Sequence, residues 1–391
     1  MPVINRIADF HADMTEWRHD LHRHPELSLQ ESRTSALVQQ KLHDWGVDEV
    51  HTGLATHGVV AVIHGSEPGP TVGLRADMDA LPITEQSGAP WTSETPGVMH
   101  ACGHDGHTTM LLGAARYLAE TRNFAGTAYL IFQPAEERYG GGNLMVQDGL
   151  FDRFPIDQVY ALHNWPALPE GTFQFRPGPV MAAVATIEIT VHGKGAHGAM
   201  PHNGTDPIVV SAAIITAFQS IVARSIEPVE GGVVTIGAIN GGHIHNVIPE
   251  TVTMLGTARW FAPEVGDIIE ARVRSLATSI AEGFGATADV TFRRAYPATI
   301  NDAEATVRAR HAAETVCGPA RVHPMVKPTM GGEDFSFMLL KKPGAYLMLG
   351  TGKEGIKSPD VHHPKYDFND AVLPIGASWF VTLVEELLPR T

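Results

Sequence analysis

The sequence predicts an α/β fold: a larger domain with a mixed sheet flanked by helices, interrupted by an inserted ferredoxin-like domain. The 391 residues exceed the size of one ordinary core and suggest two domains. Short apolar runs alternate with helical patterns in both outer parts of the chain, which is typical of a sheet with helices on its faces. Between these parts the predicted elements follow the order βαββαβ of the split-βαβ module.

The first part of the larger domain, residues 1–182, opens with two amphipathic helices. Ile7, Met14 and Leu21 recur at helical spacing in the first helix, and Gly46 ends the second. The alternation of strands and helices begins after them. In order, the predicted elements are helices over 4–21 and 32–45, strands over 59–63 and 71–76, a helix over 108–119, and strands over 127–132 and 159–163.

The inserted domain is predicted over 183–295, and residues 296–391 return to the larger domain. The residue patterns change at the first boundary and change back at the second. Predicted in the insert are a strand over 185–191, a helix over 206–226, strands over 233–239 and 251–259, a helix over 267–284 and a strand over 288–293. Helices over 303–316, 335–340 and 374–388 and a strand over 345–349 complete the chain.

The composition argues against several classes of protein. A net charge of −15 opposes binding to nucleic acid or anionic lipid, and the lysines and arginines form no basic run. No apolar run is expected to approach the roughly 18 residues that span a bilayer. Acidic residues stand near the N-terminus where a signal peptide would need an apolar stretch. With only Cys102 and Cys317 present, there is no disulfide framework, and we expect a cytoplasmic protein.

The most informative segment is residues 99–108, MHACGHDGHT, which combines one thiol, three imidazoles and a carboxylate. Thiolate and imidazole are the ligands that a borderline-soft divalent metal prefers. One residue separates Cys102 from His104, and His107 follows closely. Gly103 and Gly106 let the backbone bend, so a single loop can offer several ligands. We interpret the segment as a metal-binding loop.

Further donors follow at predicted strand ends and in a late loop. Glu136 and Glu137 come after one strand, His163 ends another, and His362 and His363 lie near the end of the chain. In open α/β sheets, ligands gather at the carboxyl ends of the strands. Because neighbouring side chains at a strand end point to opposite sides, one glutamate can bind a metal while the other faces the reacting water.

Other catalytic classes are not favoured by the motifs of this chain. The patterns GxSxG, GxxxxGK[ST] and HExxH are absent, and no dinucleotide-binding loop is expected. A cysteine protease built on Cys102 and a non-catalytic metal-binding protein stay open at this point. The second of these would not need the spare carboxylate beside Glu137.

Nine segments resemble, in order, the motifs of the dinuclear-metal amidohydrolases of the aminoacylase and carboxypeptidase G superfamily. The resemblance is closest to the branch of hippurate hydrolases and indole-3-acetyl-amino-acid hydrolases, and it runs nearly from end to end. Such a set is highly specific for the family but does not identify the substrate. The segments are LHRHPELS, LRADMDALPI, MHACGHDGHTTMLLGAA, QPAEE, HNWP, GKGAHGAMPHNGTDPI, GGHIHNVIPE, GGEDFS and HHPKYDF.

The resemblance implies a catalytic domain that holds two divalent metal ions and an inserted domain that acts as lid and dimer contact. Five protein donors suit two ions about 3.5–4 Å apart. Zinc, manganese, cobalt and nickel all suit thiolate with imidazole. The ligands implied by the resemblance are Cys102, His104, Glu137, His163 and His362.

The resemblance also assigns roles around the metals. Glu136 is the implied general base, and His197 of the inserted domain is implied to stabilise the oxyanion in a partner subunit's active site. Asn246 and Arg259 match positions that hold the substrate, although a structural ion pair is an equal alternative for Arg259. Asp79 is assigned only a supporting role behind the ligands, because this branch departs from the superfamily pattern around it.

Together these features predict a metal-dependent amidohydrolase that cleaves the amide bond of N-acyl amino acids. Hippurate-like, N-acetyl and indole-acetyl amides are the candidate substrates. A dipeptidase or carboxypeptidase on short peptides is the alternative activity, and a metal-binding protein without catalysis is the alternative class. The expected assembly is a homodimer through the inserted domain, with a tetramer as the larger alternative.

Overall fold

Two compact units make up the chain. The computed structural model describes residues 3–356 and 358–391. The larger unit comprises the chain up to Val180 together with Ile300–Lys327 and Asp334–Thr391, and the smaller unit comprises Met181–Thr299 and Pro328–Glu333. The sequence predicts the insert over 183–295, whereas the contacts extend it at both ends and add Pro328–Glu333. Long-range pairing causes this difference: Ala182 N–H donates to Gly331 O at 2.9 Å, and Met181 pairs with Thr329.

The strands alternate with helices as the sequence predicts, with longer strands and several short additional ones. In chain order they are β1 (Glu49–Leu54), β2 (Gly58–His64), β3 (Glu67–Asp77), β4 (Ala125–Gln133), β5 (Gln158–Pro169), β6 (Phe173–Phe175), β7 (Gly178–Met181), β8 (Ala183–His192), β9 (Ala196–His197), β10 (Gly232–Asn240), β11 (Val247–Ile248), β12 (Thr251–Trp260), β13 (Thr287–Tyr296), β14 (Thr299–Asn301), β15 (Val322–Pro324) and β16 (Gly344–Gly352). Strand β1 is absent from the predicted set, because it is mostly exposed and has no apolar alternation.

The helices occur close to their predicted positions, except that α5 and α6 were not predicted. They are α1 (Asn5–Asp9), α2 (His11–Arg23), α3 (Ser32–Asp44), α4 (His104–Thr121), α5 (Gly141–Gln147), α6 (Leu150–Arg153), α7 (Pro207–Ser225), α8 (Pro263–Gly283), α9 (Ala303–Cys317), α10 (Ser336–Leu339) and α11 (Leu373–Leu387). The helix predicted over 4–21 is two helices, because the chain makes a tight turn at Phe10, whose N–H donates to Ile7 O. Helix α4 begins at His104 rather than at residue 108, so half of the motif segment is helical.

The larger unit is built on one mixed eight-stranded sheet. Its strand order is β1-β2-β4-β3-β5-β16-β6-β15, and β4, β3, β5 and β16 are parallel to one another. Strands β3 and β5 lie in the middle of the sheet, and the neighbouring β16 is buried along its whole length. Helix α4 packs against α2 and α11 in an apolar core with Trp379 at 0% exposure. The four parallel strands place their carboxyl ends at one edge, which is where a ligand site is expected.

The smaller unit has the predicted βαββαβ order. Its antiparallel sheet has the strand order β10-β12-β8-β13. Helices α7 and α8 pack against each other and against this sheet, and Ile214, Phe218, Trp260 and Val273 are buried between them. A separate two-stranded pair joins β9 to β11, with His197 opposite Val247.

Helix α7 is apolar enough and long enough to cross a membrane, contrary to the expectation that no run approaches that length. A single helix of this kind is weak evidence for a membrane span, because core helices have the same composition. Within its apolar stretch 28% is buried inside the protein, and the buried face carries Val210, Ile214 and Phe218. Packing against the small sheet explains this face of the helix.

Strand β16 ends in a glycine-rich segment, with Gly350 and Gly352 inside the strand and Gly355 in the turn after it. Gly350, Gly352 and Gly355 have the GxGxxG spacing of dinucleotide-binding loops, although no such loop was expected. That signature requires a helix directly after the turn. The residues described between Gly352 and Val361 contain turns and no helix, so the spacing does not indicate a dinucleotide site.

Candidate metal centre

The predicted donors of the larger unit meet at the carboxyl edge of its parallel strands. Asp77, which was not among the predicted donors, ends β3, and Glu136 and Glu137 follow β4. His163 lies within β5, which continues six residues past the predicted end to Pro169. His362 reaches this edge from a loop, and its N–H donates to Ala101 O at 2.7 Å. The tertiary structure therefore brings together residues from five separate segments.

Cys102 is shared by two overlapping groups of donor atoms. Its Sγ lies 3.4 Å from His163 Nε2, and with His104 these side chains offer three atoms within 4.8 Å of one another. Cys102 also forms such a group with Glu137 and His362, and His362 Nε2 lies 3.1 Å from Glu137 Oε1. Each group could hold one metal ion, and the thiol of Cys102 would then be a ligand common to both ions.

The two buried histidines among the predicted ligands, His104 and His163, each direct one ring nitrogen towards the other donors. His104 Nδ1 donates to the backbone oxygen of Asp79 at 3.0 Å, and His104 Nε2 is buried without a hydrogen-bond partner in the described part of the chain. His163 Nδ1 donates to Asn164 O at 2.7 Å, which turns its Nε2 towards Cys102. Because the outer N–H of each ring is held, the inner nitrogen of the neutral ring carries a lone pair. The residues therefore fit a soft or borderline divalent cation.

The electrostatics of the site show an excess of negative charge. Burial opposes the charged form of His104, but Asp77, Asp79 and Glu137 outweigh it and raise its pKa to about 10. Burial, together with the charges of Glu137 and Glu136, holds the pKa of the Cys102 thiol well above its usual range. Burial likewise keeps the pKa of His163 well below its ordinary value. A bound cation would reverse the first two effects, since it favours a neutral imidazole and a thiolate.

The two adjacent glutamates are oriented by a turn, which corrects the reason given from the sequence. Strand β4 ends at Gln133, so strand alternation does not separate the two side chains. Ala135 adopts the left-handed conformation with φ 57°. Asp79 Oδ1 accepts from Glu136 N–H at 3.1 Å, and Asp79 Oδ2 accepts from Glu137 N–H at 3.0 Å. The backbone of both glutamates is thus held by one buried carboxylate.

The two glycines of the motif act differently from each other. Gly103 has φ 90°, and a Cβ there would lie 2.6 Å from the hydroxyl of Tyr366, so only glycine fits this bend. Gly106 lies inside α4, where a Cβ would collide with the ring of Phe368. The first glycine therefore provides the expected bend, and the second provides close packing instead.

Several buried polar residues lie behind the donors: His107, which the sequence offered as a possible ligand of the loop, and Arg75 and Asp77, which it did not single out. His107 Nδ1 donates to Asp77 Oδ1 at 2.6 Å, and its Nε2 lies 2.6 Å from Asn164 Oδ1, so both ring nitrogens are occupied. Arg75 donates to Asp77 Oδ2 at 2.7 Å and to Asp334 Oδ1 at 3.1 Å. The motif LRADMDALPI contains Arg75 and Asp77, but an arginine in an apolar strand gives no sign of its distant partners. With both ring nitrogens engaged, His107 supports the site and is not a ligand. His363, the other histidine of the late loop, accepts from Lys365 N–H in an exposed turn.

The smaller unit carries the other three predicted residues. His197 is exposed in β9, and its Nδ1 accepts from Ala199 N–H at 3.0 Å, which leaves Nε2 as the donor of a neutral ring. Asn246 is exposed just before β11. Arg259 is half-buried in β12 and, in the part of the chain that the structure describes, has no carboxylate partner; its Nη1 donates to Thr257 Oγ1 and Ala258 O. The role of Arg259 in holding the substrate stays a prediction.

A thiol, three imidazoles and a carboxylate donor, with a second carboxylate alongside, fit the class of metal-dependent hydrolases. The model of peptidase family M20/M25/M40 matches residues 73–386. The chain belongs to this family, and it is a metal-binding hydrolase of amide bonds within it.

Similar proteins agree with this assignment over nearly the whole chain. The hippurate hydrolase of Campylobacter jejuni is 38% identical over 99% of this chain and 100% of its own length. The N-acetyl-L-cysteine deacetylase of Bacillus subtilis is 41% identical over 93% of this chain and 85% of its own. The structure of the Bacillus subtilis YXEP protein, a dinuclear metal-binding peptidase of the M20 family, has a TM-score of 0.84 and 33% identity over 98% of this chain and 100% of that chain.

The buried pair of His22 and Asp105 next to this site is expected to make stability depend on pH. His22 Nδ1 donates to Asp105 Oδ2 at 2.8 Å, and His22 Nε2 lies 3.3 Å from Glu85 Oε1. Burial opposes the charge on His22, but the two carboxylates outweigh it and raise its pKa to about 9. Since the folded pKa exceeds the unfolded value of about 6.5, the stabilisation is complete below that pH and disappears as the pH rises through 9.

We predict that His22→Gln removes this pH dependence. The free energy of unfolding of the wild type, minus that of the variant, should fall by on the order of 3 kcal/mol between about pH 6.5 and pH 9.5. Denaturant unfolding at a series of pH values measures this difference. Gln39→Ala, which changes a side chain of α3 without a titratable group, is the control and should show a flat difference. A flat profile for His22→Gln as well would contradict the prediction.

Proposed function

We propose that the protein is an amidohydrolase of N-acyl amino acids and that its reaction depends on two divalent metal ions. One observation carries the proposal: a second carboxylate, Glu136, lies beside Glu137 within the cluster of metal donors. The ions are drawn from zinc, manganese, cobalt and nickel, because thiolate and imidazole suit all four. The proposed ligands are the donors that converge at the sheet edge: Cys102, His104, Glu137, His163 and His362.

The proposed reaction assigns separate roles to the paired glutamates. When bound, divalent ions polarise the scissile carbonyl and lower the pKa of water near them. Glu136, which is 6% exposed, takes a proton from the attacking water and returns it to the leaving amine. Asp79 orients both glutamates through their backbone N–H groups. Glu137 has the other role, that of metal ligand, and its Oε1 is buried beside the other proposed ligands.

The smaller unit is proposed to complete the site from a second copy of the chain. The resemblance implies dimerisation through this unit, and the exposed Nε2 of His197 supports its role as donor to the oxyanion, a contribution of about 3 kcal/mol in comparable sites. Arg259, which has no carboxylate partner among the described residues, supports binding of the substrate's carboxylate, and Asn246 joins it in this role. We propose a homodimer located in the cytoplasm, with neither nucleic acid nor membrane as a partner.

We predict that the purified, metal-loaded protein releases free amino acid from N-acyl amino acids. Benzoyl-glycine, N-acetyl and indole-acetyl amino acids are the first substrates to compare, because the relatives named above include a hippurate hydrolase and a deacetylase. Short peptides are the second set, and preference for them by kcat/KM would favour the dipeptidase or carboxypeptidase alternative. Metal binding without release of amino acid from either set would contradict the proposed reaction.

We predict opposite effects from the two glutamates. Glu136→Gln keeps size and polarity but cannot accept a proton, so kcat should fall by a factor of about 10² or more while metal content stays near normal. Glu137→Gln should lower the number of bound ions, because a ligand charge is lost. Steady-state kinetics and metal analysis of both variants measure this contrast. If the variants exchanged these effects, the base and the ligand would be reversed.

We predict that the active site is shared between subunits. Glu136→Gln and His197→Ala homodimers should each be nearly inactive. In a mixed dimer, one site carries both lesions, and the other has an intact Glu136 and receives an intact His197. Random reassociation makes half of the dimers mixed, so about a quarter of wild-type activity should return. Mixtures that stay inactive despite proven subunit exchange would mean that His197 does not act across the dimer.

A further inference from the structure

Glu31 is a fully buried carboxylate close to the proposed base that the mechanism above does not use. It is the residue directly before α3, and its side chain is 0% exposed. Its Oε1 accepts from Ala135 N–H at 2.8 Å, across 104 positions of sequence. Its Oε2 is buried without a hydrogen-bond partner in the described part of the chain. A buried carboxylate costs free energy unless it is paired, so the contact with Ala135 is the feature to explain.

That contact completes a row of three backbone donors in the loop of the glutamates. The N–H of Ala135 donates to Glu31, and the next two, of Glu136 and Glu137, donate to Asp79. Ala135 is also the residue with φ 57°, a conformation that non-glycine residues rarely adopt. Two buried carboxylates therefore hold three successive amides, and Glu31 holds the strained one.

The segment that carries Glu31 is itself attached to this site. Ser28 Oγ donates to Asp79 Oδ2 at 2.7 Å, and Ala80 N–H donates to Glu26 O at 2.8 Å. Burial first, and then the charge of Asp79, raise the pKa of Glu31 to about 7. Whether the Glu31 carboxyl is charged or neutral, one of its oxygens can accept from Ala135 N–H, so this hydrogen bond persists near neutral pH.

We propose that Glu31 is a positioning residue for Glu136: by accepting from Ala135 N–H, it holds the left-handed bend that aims the base. This inference rests on the proposed role of Glu136. Without the carboxylate, Ala135 N–H would be buried with no acceptor and the bend would lose its support. The loop would relax, and a shift of about 1 Å at a reacting group can cost 10²-fold in rate.

The test compares Glu31→Ala with Glu31→Gln. The alanine variant should lose about 10-fold to 10²-fold in kcat with little change in KM and with normal metal content. Glutamine retains an acceptor oxygen of the same reach, so Glu31→Gln should keep most of the wild-type kcat. A loss of kcat that is equal in both variants, or that follows loss of metal, would overturn the proposal.

Glu26→Ala is the matched control within the same segment. The Glu26 side chain accepts from Arg33 N–H at 3.0 Å and Thr34 N–H at 2.8 Å and so caps α3, and among the described residues it makes no hydrogen bond to the loop of the glutamates. It should lower the thermal midpoint as Glu31→Ala does, yet leave kcat unchanged. A comparable fall of kcat in this control would mean that general destabilisation of the segment, and not the Ala135 contact, explains the effect.

A double variant separates this inference from the proposed function. If Glu31 acts through Glu136, then Glu31→Ala should cause no further loss of kcat in a Glu136→Gln background. Additive losses would show that Glu31 acts by another route. A Glu136→Gln enzyme with full activity would contradict the proposed base and this inference with it. An inactive Glu136→Gln enzyme beside a fully active Glu31→Ala enzyme would overturn the inference alone.

Discussion

The hydrogen bonds of one buried carboxylate, Asp79, hold the two glutamates and His104 of the candidate centre in place. Its oxygens accept from Ser28 Oγ and from the N–H groups of Glu136 and Glu137, and its Oδ1 lies 3.2 Å from His104 Nδ1. These contacts join the segment before α3, the start of α4 and the loop after β4. Because Asp79 follows a parallel strand at the centre of the sheet, the rigid sheet sets the position of both glutamates.

Charge balance is the second constraint on this structure. Asp77, Asp79 and Asp334 are buried at 0–1% exposure, and Arg75 is the buried cation that joins Asp77 to Asp334. Removing charges from water costs several kcal/mol per ion unless they are paired. The strongly raised pKa of His104 shows how much negative potential the protein concentrates at this edge. Divalent cations among the donors would offset that potential, which is a physical reason for the site to take metal.

Left-handed backbone conformations cluster around the same site. Gly103, Ala135 and His362 all have positive φ, at 90°, 57° and 65°. Each precedes or carries a proposed ligand or the proposed base, and two of the three are not glycine. Such conformations persist only where surrounding contacts hold them. Here those contacts are visible: Glu31 accepts from Ala135 N–H, and Ala101 O accepts from His362 N–H.

The sequence by itself determined the α/β class, the βαββαβ insert, most helices and strands, and the candidate donors, because periodicity and the choice of thiol and imidazole are local properties of the chain. It did not determine the break at Phe10, the edge strand β1 or the assignment of Pro328–Glu333 to the smaller unit, since these depend on pairing at long range. The tertiary structure alone decided that His107 supports the site, that a left-handed turn orients Glu136 and Glu137, and that Glu31 lies beneath them. A buried carboxylate and an exposed one look identical in a sequence, because only folding brings distant hydrogen-bond donors against the buried one.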